Sequence, residues 1–459
     1  MATKRKITLV NAVNENILYN ATRMPALSLA YLAAYIPKSW ELRIVDETVE
    51  RFDAYKHVGI EKPDMIGISG GNVCNIPRID RMLAGIEEVG VVTGTQPAVV
   101  LGGYVGRLNL DGLPSKVDSV VAGPGEIAIQ EVLSDFERGQ LKRSYAGTRV
   151  PMDLLRRPDF SKFNLPAYGN GINYPVQSSV SCNRKCKFCS ARSVFGDGYA
   201  ARAPQLVLDD MSQIPNGSRV YFTDPNLVDF SPAGLARAKE LLSGMKPRNF
   251  KWFGSMPFEI TKHKDILKLM AESGCGGMLI GYDSTTRGSL EKVSEAKAPL
   301  KQDLLDYYIR GTRMIQEEFG IPIVGTFVIG FDTDDKSVFP NTIKVVKESK
   351  MNDAQFLDLT PLPGTGMYDE MVKAGRIFNN DLEDFDFMNV VFQPQNLSPR
   401  ELRNGVVRMY EEALPHMLAL YRRQGLIRDI PDKIKIESMK QKFEREAQER
   451  LRREGNRDH

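Results

Sequence analysis

Short apolar runs that close on a glycine or an acid, each followed by a stretch of helical period, recur through the amino-terminal third of the chain. The run at 7–10, the helical pattern at 27–35 and the run at 42–45 closing on Asp46 form one strand-helix-strand unit. The pattern repeats: 64–69 leads into Gly70-Gly71 and a helical stretch to Ile86, 98–101 into Gly102-Gly103, and 117–121 into Gly123-Pro124-Gly125-Glu126 and another helix. This alternation predicts an α/β, doubly wound parallel sheet over 1–147. Ligands of such sheets bind at the carboxyl ends of the strands, where these glycine turns fall. None of the turns reads G-x-G-x-x-G, which argues against a dinucleotide fold, and a glycine after a strand also serves simple turn geometry.

Residues 148–175, rich in proline and turn formers, read as a linker laid over the surface. A second alternating series follows, with strands at 176–180, 220–223, 250–253, 278–280, 323–329 and 356–359 and helical patterns at 235–242, 266–272 and 304–319. Six strands of this kind predict a partial (β/α)6 barrel over 176–370, whose functional residues collect at the strand ends. Residues 371–459 read as a mostly helical region with a helix at 399–423 and a charged tail. From 433 onward the tail fits a solvated helix with paired charges, or a helix that lies on a partner or a membrane surface.

Composition narrows the class. The chain has 459 residues, 42% hydrophobic and 26% charged, enough for two or three sizeable cores. With 61 basic against 58 acidic residues the net charge is +3, so nothing calls for nucleic acid or an acidic membrane. The start MATKRKITLVNAVNEN lacks the long apolar core of a signal peptide, and no apolar stretch reaches the roughly 18 residues a membrane helix needs. A cytoplasmic protein with at most peripheral membrane contact is expected. Five cysteines, three of them close together, make a disulfide framework improbable and fit a reducing compartment.

Those three carry the candidate chemistry. Cys182, Cys186 and Cys189 in SCNRKCKFCS form a C-x3-C-x2-C cradle, directly after the first strand of the second series. An electron-carrying [4Fe-4S] cluster usually has four thiolates, so three leave one iron open to a small molecule. A zinc knuckle is the competing reading, but it wants a fourth ligand nearby, and Cys74, Cys275 and His263 are all distant in sequence. Cys74 and Cys275 read as small buried apolar residues.

The cysteine spacing resembles that of the radical S-adenosylmethionine enzymes, in which the open iron chelates S-adenosylmethionine and its reduction yields a 5′-deoxyadenosyl radical. Later segments extend the resemblance: FTDPN at the second strand end, GYDST where the family has its GIES-type strand end, then GTFVIGFDTD and TPLPGTGMY. The resemblance implies that Phe188 packs near the adenine, Asp224 contacts the methionine amino group, and Asp283 accepts the ribose hydroxyls. The ordered turns Ser69-Gly70-Gly71, Gly102-Gly103 and Gly123-Pro124-Gly125-Glu126 resemble the cobalamin-binding domain that precedes many of these enzymes, and are expected to hold a corrin. The D-x-H-x-x-G motif is absent, which argues against a histidine on the lower face of the cobalt.

The resemblance reaches to about residue 425 and is closest to the class that includes hopanoid methylases and the anaerobic porphyrin ring cyclase. It departs at Phe195–Arg202, which keeps Tyr199 and Arg202 of a basic FGRxYRxR stretch but loses two basic positions. The expected cofactors are a [4Fe-4S] cluster, S-adenosylmethionine and cobalamin. The expected partners are a small-molecule or lipid substrate and a reductase, flavodoxin or ferredoxin as electron donor. Methylation of an unactivated carbon of a small-molecule, lipid or tetrapyrrole substrate is the leading reading, with no residue singled out as a catalytic acid or base. A radical cyclase or oxidase without methyl transfer, or a cobalamin or redox sensor without turnover, is the alternative. Methylthiolation of RNA is disfavoured because only Cys74 lies in the amino-terminal part.

Overall fold

In the computed structural model, residues 4–14, 24–108, 117–169, 173–293 and 303–423 are described. The first sheet contains β1 (Arg5–Ala12), β2 (Trp40–Asp46), β3 (Met65–Gly70), β4 (Ala98–Gly102), β5 (Ser119–Ala122) and β6 (Ser144–Ala146). All its pairings are parallel, in the order β2-β1-β3-β4-β5-β6. The order reverses at β1, whose apolar side chains are buried on both faces, Ile7 and Leu9 in one core and Val10 and Ala12 in the other. A strand covered on both sides belongs inside a parallel sheet flanked by helices. The helix Leu27–Tyr35, read from sequence period, covers the first face and the helix Ile76–Thr93 the second.

The second sheet is also parallel. After β7 (Asn173–Val176), a two-stranded antiparallel piece pairs β8 (Ser179–Val180) with β9 (Ala200–Ala201). The sheet continues with β10 (Arg219–Phe222), β11 (Lys251–Pro257), β12 (Cys275–Asp283), β13 (Ile323–Ile329) and β14 (Asp353–Asp358), in the order β14-β13-β12-β11-β10-β7. β7 and β14 are its unpaired edges, so the barrel is partial, as expected. The helix Pro399–Arg423 contributes Leu402, Val406 and Met409 to the barrel core, and its Tyr410 hydroxyl bonds Phe356 of the edge strand β14.

Two expectations are corrected and one strand is added. The first barrel strand lies at Asn173–Val176 rather than 176–180; Pro175 is accepted because β7 is an edge, and the strand breaks where Ser178 turns its N–H and hydroxyl to Asp224. The segment 148–175 is not laid over the surface, because Val150, Leu155, Phe160, Phe163 and Tyr168 are buried in the first core. The added strand is β6, whose Ser144-Tyr145-Ala146 has one buried side chain and too short an alternation to give a sequence signal. The tail from 433 lies outside the described residues. Among the described residues no helix is long and apolar enough to cross a membrane.

Asp358, fully buried at the end of β14, is paired with Arg403 of the last long helix at 3.1 Å. Replacing Arg403 with alanine removes a charged partner from that buried carboxylate, so urea unfolding of the barrel should show a loss of about 2 kcal/mol. Arg403→Lys, which keeps the charge, should lose clearly less.

Candidate functional site

Cys182, Cys186 and Cys189 occupy the loop between β8 and the short helix Ala191–Phe195, at the carboxyl end of the partial barrel. The backbone makes the loop tight: Ser181, just before Cys182, has φ 60°, and its hydroxyl donates to the Gly196 carbonyl at 2.6 Å. Positive φ in a residue with a side chain is strained and persists only where surroundings hold it. The residues between the cysteines supply that hold. Asn183 bonds Asp229 beyond β10, Arg184 bonds Glu259 beyond β11 at 3.0 Å, and Lys187 bonds Glu370 beyond β14. The Lys187 carbonyl also accepts from the Met367 N–H. The loop is thus stapled across three strand ends.

The thiols of Cys182 and Cys186 act electrostatically on that of Cys189. Cys189 is exposed on its outer side, yet the protein around its sulfur pushes the thiol up to about 11, mainly by desolvation, with Cys186, Asp283 and Cys182 adding to the push. Among the described residues, no three His, Cys, Asp or Glu side chains are grouped closely enough to hold a single metal ion. Three thiols on one loop, without a histidine or a fourth cysteine, suit a [4Fe-4S] cluster with one open iron and leave a zinc ion under-ligated. A cationic cluster would also reverse the upward push on Cys189.

Asp283 ends β12 with φ 60°, at a register shift against β13, and is 6% exposed. It stands near enough to the cysteines to act on Cys189 electrostatically. Phe188 is half-buried and meets Phe331 edge-on at 5.5 Å. Asp224 is positioned differently: it is 1% exposed and accepts from the Ser178 N–H at 3.1 Å and from the Ser178 and Ser179 hydroxyls. Burial raises its pKa against those bonds. Its carboxylate therefore shapes the strand that leads into the cysteine loop.

Facing the loop is a cavity of ≈ 350 Å³ between the two sheets. Ser69, Gly102, Gly103, Gly123, Gly125 and Glu126 line it from the first sheet, and Gln177, Val180, Val194, Phe195 and Thr223 from the barrel. Most of the remaining wall is apolar, including Leu9, Leu29, Met65 and Val100. A Cβ on Gly102 would project into open space, and one on Gly103, at φ 76°, would strike the Gly70 carbonyl at 2.7 Å. Gly70 and Gly71 are not brought to the cavity; Gly70 packs against Val105 and Ile79. The Glu126 carboxyl has a buried oxygen, Oε2, without a hydrogen-bond partner, and burial raises its pKa. An open glycine face, apolar walls and an acceptor awaiting a donor fit a large, flat, amide-bearing group such as a corrin.

Sequence reasoning missed Tyr104. It lines the cavity, donates to the Pro363 carbonyl in the barrel at 2.6 Å, and is close enough to Cys189 for that thiolate to add to the burial that pushes its phenol up to about 12. Only its place after Gly102-Gly103 could have marked it.

Two parallel sheets opposed at their strand ends, with a three-cysteine loop and a deep cavity between them, give the fold of the cobalamin-dependent radical S-adenosylmethionine enzymes. Two solved structures show it: OxsB with aqua-cobalamin bound (TM-score 0.72, 14% identity, 95% of this chain and 70% of that one) and the methyltransferase TsrM from Kitasatospora setae with cobalamin and a [4Fe-4S] cluster (TM-score 0.65, 17% identity, 91% and 89%). In sequence the chain is similar to bacteriochlorophyllide d C-12(1)-methyltransferase of Chlorobaculum tepidum, 26% identical over 88% of this chain and 86% of the relative. It is also similar to the hopanoid C-2 methylase of Rhodopseudomonas palustris, 23% identical over 79% and 67%. No family model matches the chain.

The unmet carboxyl of Glu126 has a stability consequence. Because its pKa is raised on folding, the cost grows as pH climbs through the unfolded carboxylate range and vanishes below it. Glu126→Leu should therefore stabilise the cofactor-free protein by about 1 kcal/mol at neutral pH. A thermal melt should show the gain at pH 7 and lose it by about pH 4.

Proposed function

We propose that the chain is a cobalamin-dependent radical S-adenosylmethionine enzyme that methylates an unactivated carbon of a small, largely apolar molecule. The observation that carries this reading is the single seam at which the three-cysteine loop, the acidic strand end at Asp283 and the glycine-lined cavity meet. Cys182, Cys186 and Cys189 would hold a [4Fe-4S] cluster, with Phe188 and Asp283 on the nucleoside of S-adenosylmethionine. Ser69, Gly102, Gly103, Gly123, Gly125 and Glu126 would hold cobalamin. Gly70 packs behind that wall against Val105 and Ile79, Gly71 is exposed, and Asp224 sets the path of the chain into the loop. When bound, these groups supply an electron, a 5′-deoxyadenosyl radical and a methyl donor. The chain's own residues bind, orient and exclude water: the loop is stapled to three strand ends, and Tyr104 spans from the cavity wall to the barrel. A substrate of tetrapyrrole or polycyclic lipid type is favoured by the apolar walls and by relatives named for bacteriochlorophyllide and hopanoid methylation. A reductase, flavodoxin or ferredoxin would supply the electrons, and a cytoplasmic setting suits an oxygen-sensitive cluster.

Anoxically reconstituted protein given dithionite and S-adenosylmethionine should release 5′-deoxyadenosine, and a true substrate should gain about 14 mass units, one methylene. Cys186→Ala should bind little iron and release none of the nucleoside. Release without a mass gain in any tetrapyrrole or lipid offered would favour cyclisation or oxidation; no release at all would favour a sensor.

A further inference from the structure

Two guanidinium groups come together at the seam. Arg107, the last residue of the helix Gly103–Arg107, and Arg149, just beyond β6, belong to the amino-terminal layer, yet both converge on the end of the helix Ala191–Phe195 that follows the cysteines. A Cβ on Gly196 would lie 3.2 Å from a terminal nitrogen of Arg149 and 3.3 Å from one of Arg107. Burial lowers the Arg149 pKa, and the neighbouring Arg107 charge lowers it further. Asp197, whose charge reaches Arg149, is hydrogen-bonded to Arg192.

The plain structural account is helix capping, since Arg149 donates to the Phe195 carbonyl and to that of Gly198 at 3.0 Å. One arginine satisfies a helix of this length. Arg107 adds only a contact of 3.5 Å to the Val194 carbonyl, which uses little of its five-donor fork. A second guanidinium held beside the partly buried Arg149 is repulsive unless an anion joins them. Arg149 lines the cavity beside Val194 and Phe195 of the barrel, and the exposed Arg107 stands next to it, outside that lining, while the other walls are chiefly apolar.

We propose that Arg107 and Arg149 form an oxyanion site at the barrel-side mouth of the cavity, and that it takes the carboxylate of an otherwise apolar substrate. Two forked guanidinium groups match a carboxylate in charge and geometry, and the anion removes their mutual repulsion. The site would orient the substrate by its acid group while its apolar body lies along the cavity. This deepens the reading given above and rests on it for the word substrate; release of 5′-deoxyadenosine does not involve the arginines, so either can fail alone. A phosphate of the nucleotide tail of cobalamin offers the same chemistry, and the test separates the two.

The full chain, cluster-reconstituted under nitrogen with and without hydroxocobalamin, is titrated with protoporphyrin IX and with its dimethyl ester, and separately with cis-parinaric acid and its methyl ester. Absorbance and fluorescence report binding, and circular dichroism melts confirm folding. The wild-type protein should bind at least one acid roughly tenfold more tightly than its ester. Arg107→Gln, which disturbs only the long contact to Val194, should cut that preference severalfold, and Arg107→Gln with Arg149→Gln should abolish it, both leaving hydroxocobalamin affinity unchanged. Three results would overturn the proposal: wild-type protein that prefers neither acid to its ester, a preference that survives in Arg107→Gln, or loss of hydroxocobalamin binding in that variant with the acid preference intact.

Discussion

Two parallel sheets turn the carboxyl ends of their strands toward the same seam, and this opposition is the constraint on which the rest depends. Each sheet leaves backbone turns, and therefore its ligand-facing groups, at that edge. Facing each other, the two edges enclose a volume neither could close alone. The contacts across it are specific: the Tyr104 hydroxyl reaches the Pro363 carbonyl, and Arg149 reaches the chain after the cysteines. The apolar side chains of the connecting segment are built into the first core, so the layers are joined by a buried stretch of chain.

Strain and unmet polarity concentrate at this seam. Ser181 and Asp283, both at positive φ, stand at the entrance to the cysteine loop and at the strand end opposite it. Glu126 presents a buried oxygen without a donor, and Cys186 and Cys182 act electrostatically on Cys189. A corrin amide would supply the donor that the buried Glu126 oxygen lacks, and a bound cluster would take the cysteines as thiolates. The surrounding structure holds them by ordinary means: the Asn183, Arg184 and Lys187 bonds to three strand ends, and the three bonds from Ser178 and Ser179 into Asp224. A near-neutral net charge is consistent with a site that works by local arrangement and without a long-range field.

Much of this was legible in the sequence because the signals are periodic or compact. The helices Leu27–Tyr35 and Leu304–Phe319 are bounded where their apolar period starts and stops, and the three cysteines are close enough for spacing alone to define a cradle. What escaped notice depends on contacts far apart in the chain. Asp224 looks like a strand-end ligand until its partners Ser178 and Ser179, more than forty residues earlier, are seen to occupy it. Tyr104 is one aromatic among sixteen tyrosines until Pro363 and Cys189 come beside it. Gly70 and Gly103 look alike in sequence, yet only the second reaches the cavity, because the helix after β4 buries the first. β7 was displaced because a proline normally closes a strand, and an edge position was what allowed it here.

The account rests on one iron that the polypeptide does not ligate. Electron paramagnetic resonance of the dithionite-reduced, anoxically prepared protein tests this directly. The account predicts the signal of a reduced [4Fe-4S] cluster whose g values shift when S-adenosylmethionine is added, because a new ligand has reached the open iron. A cluster signal that S-adenosylmethionine leaves unchanged, or protein that holds zinc and gives no signal, would contradict it.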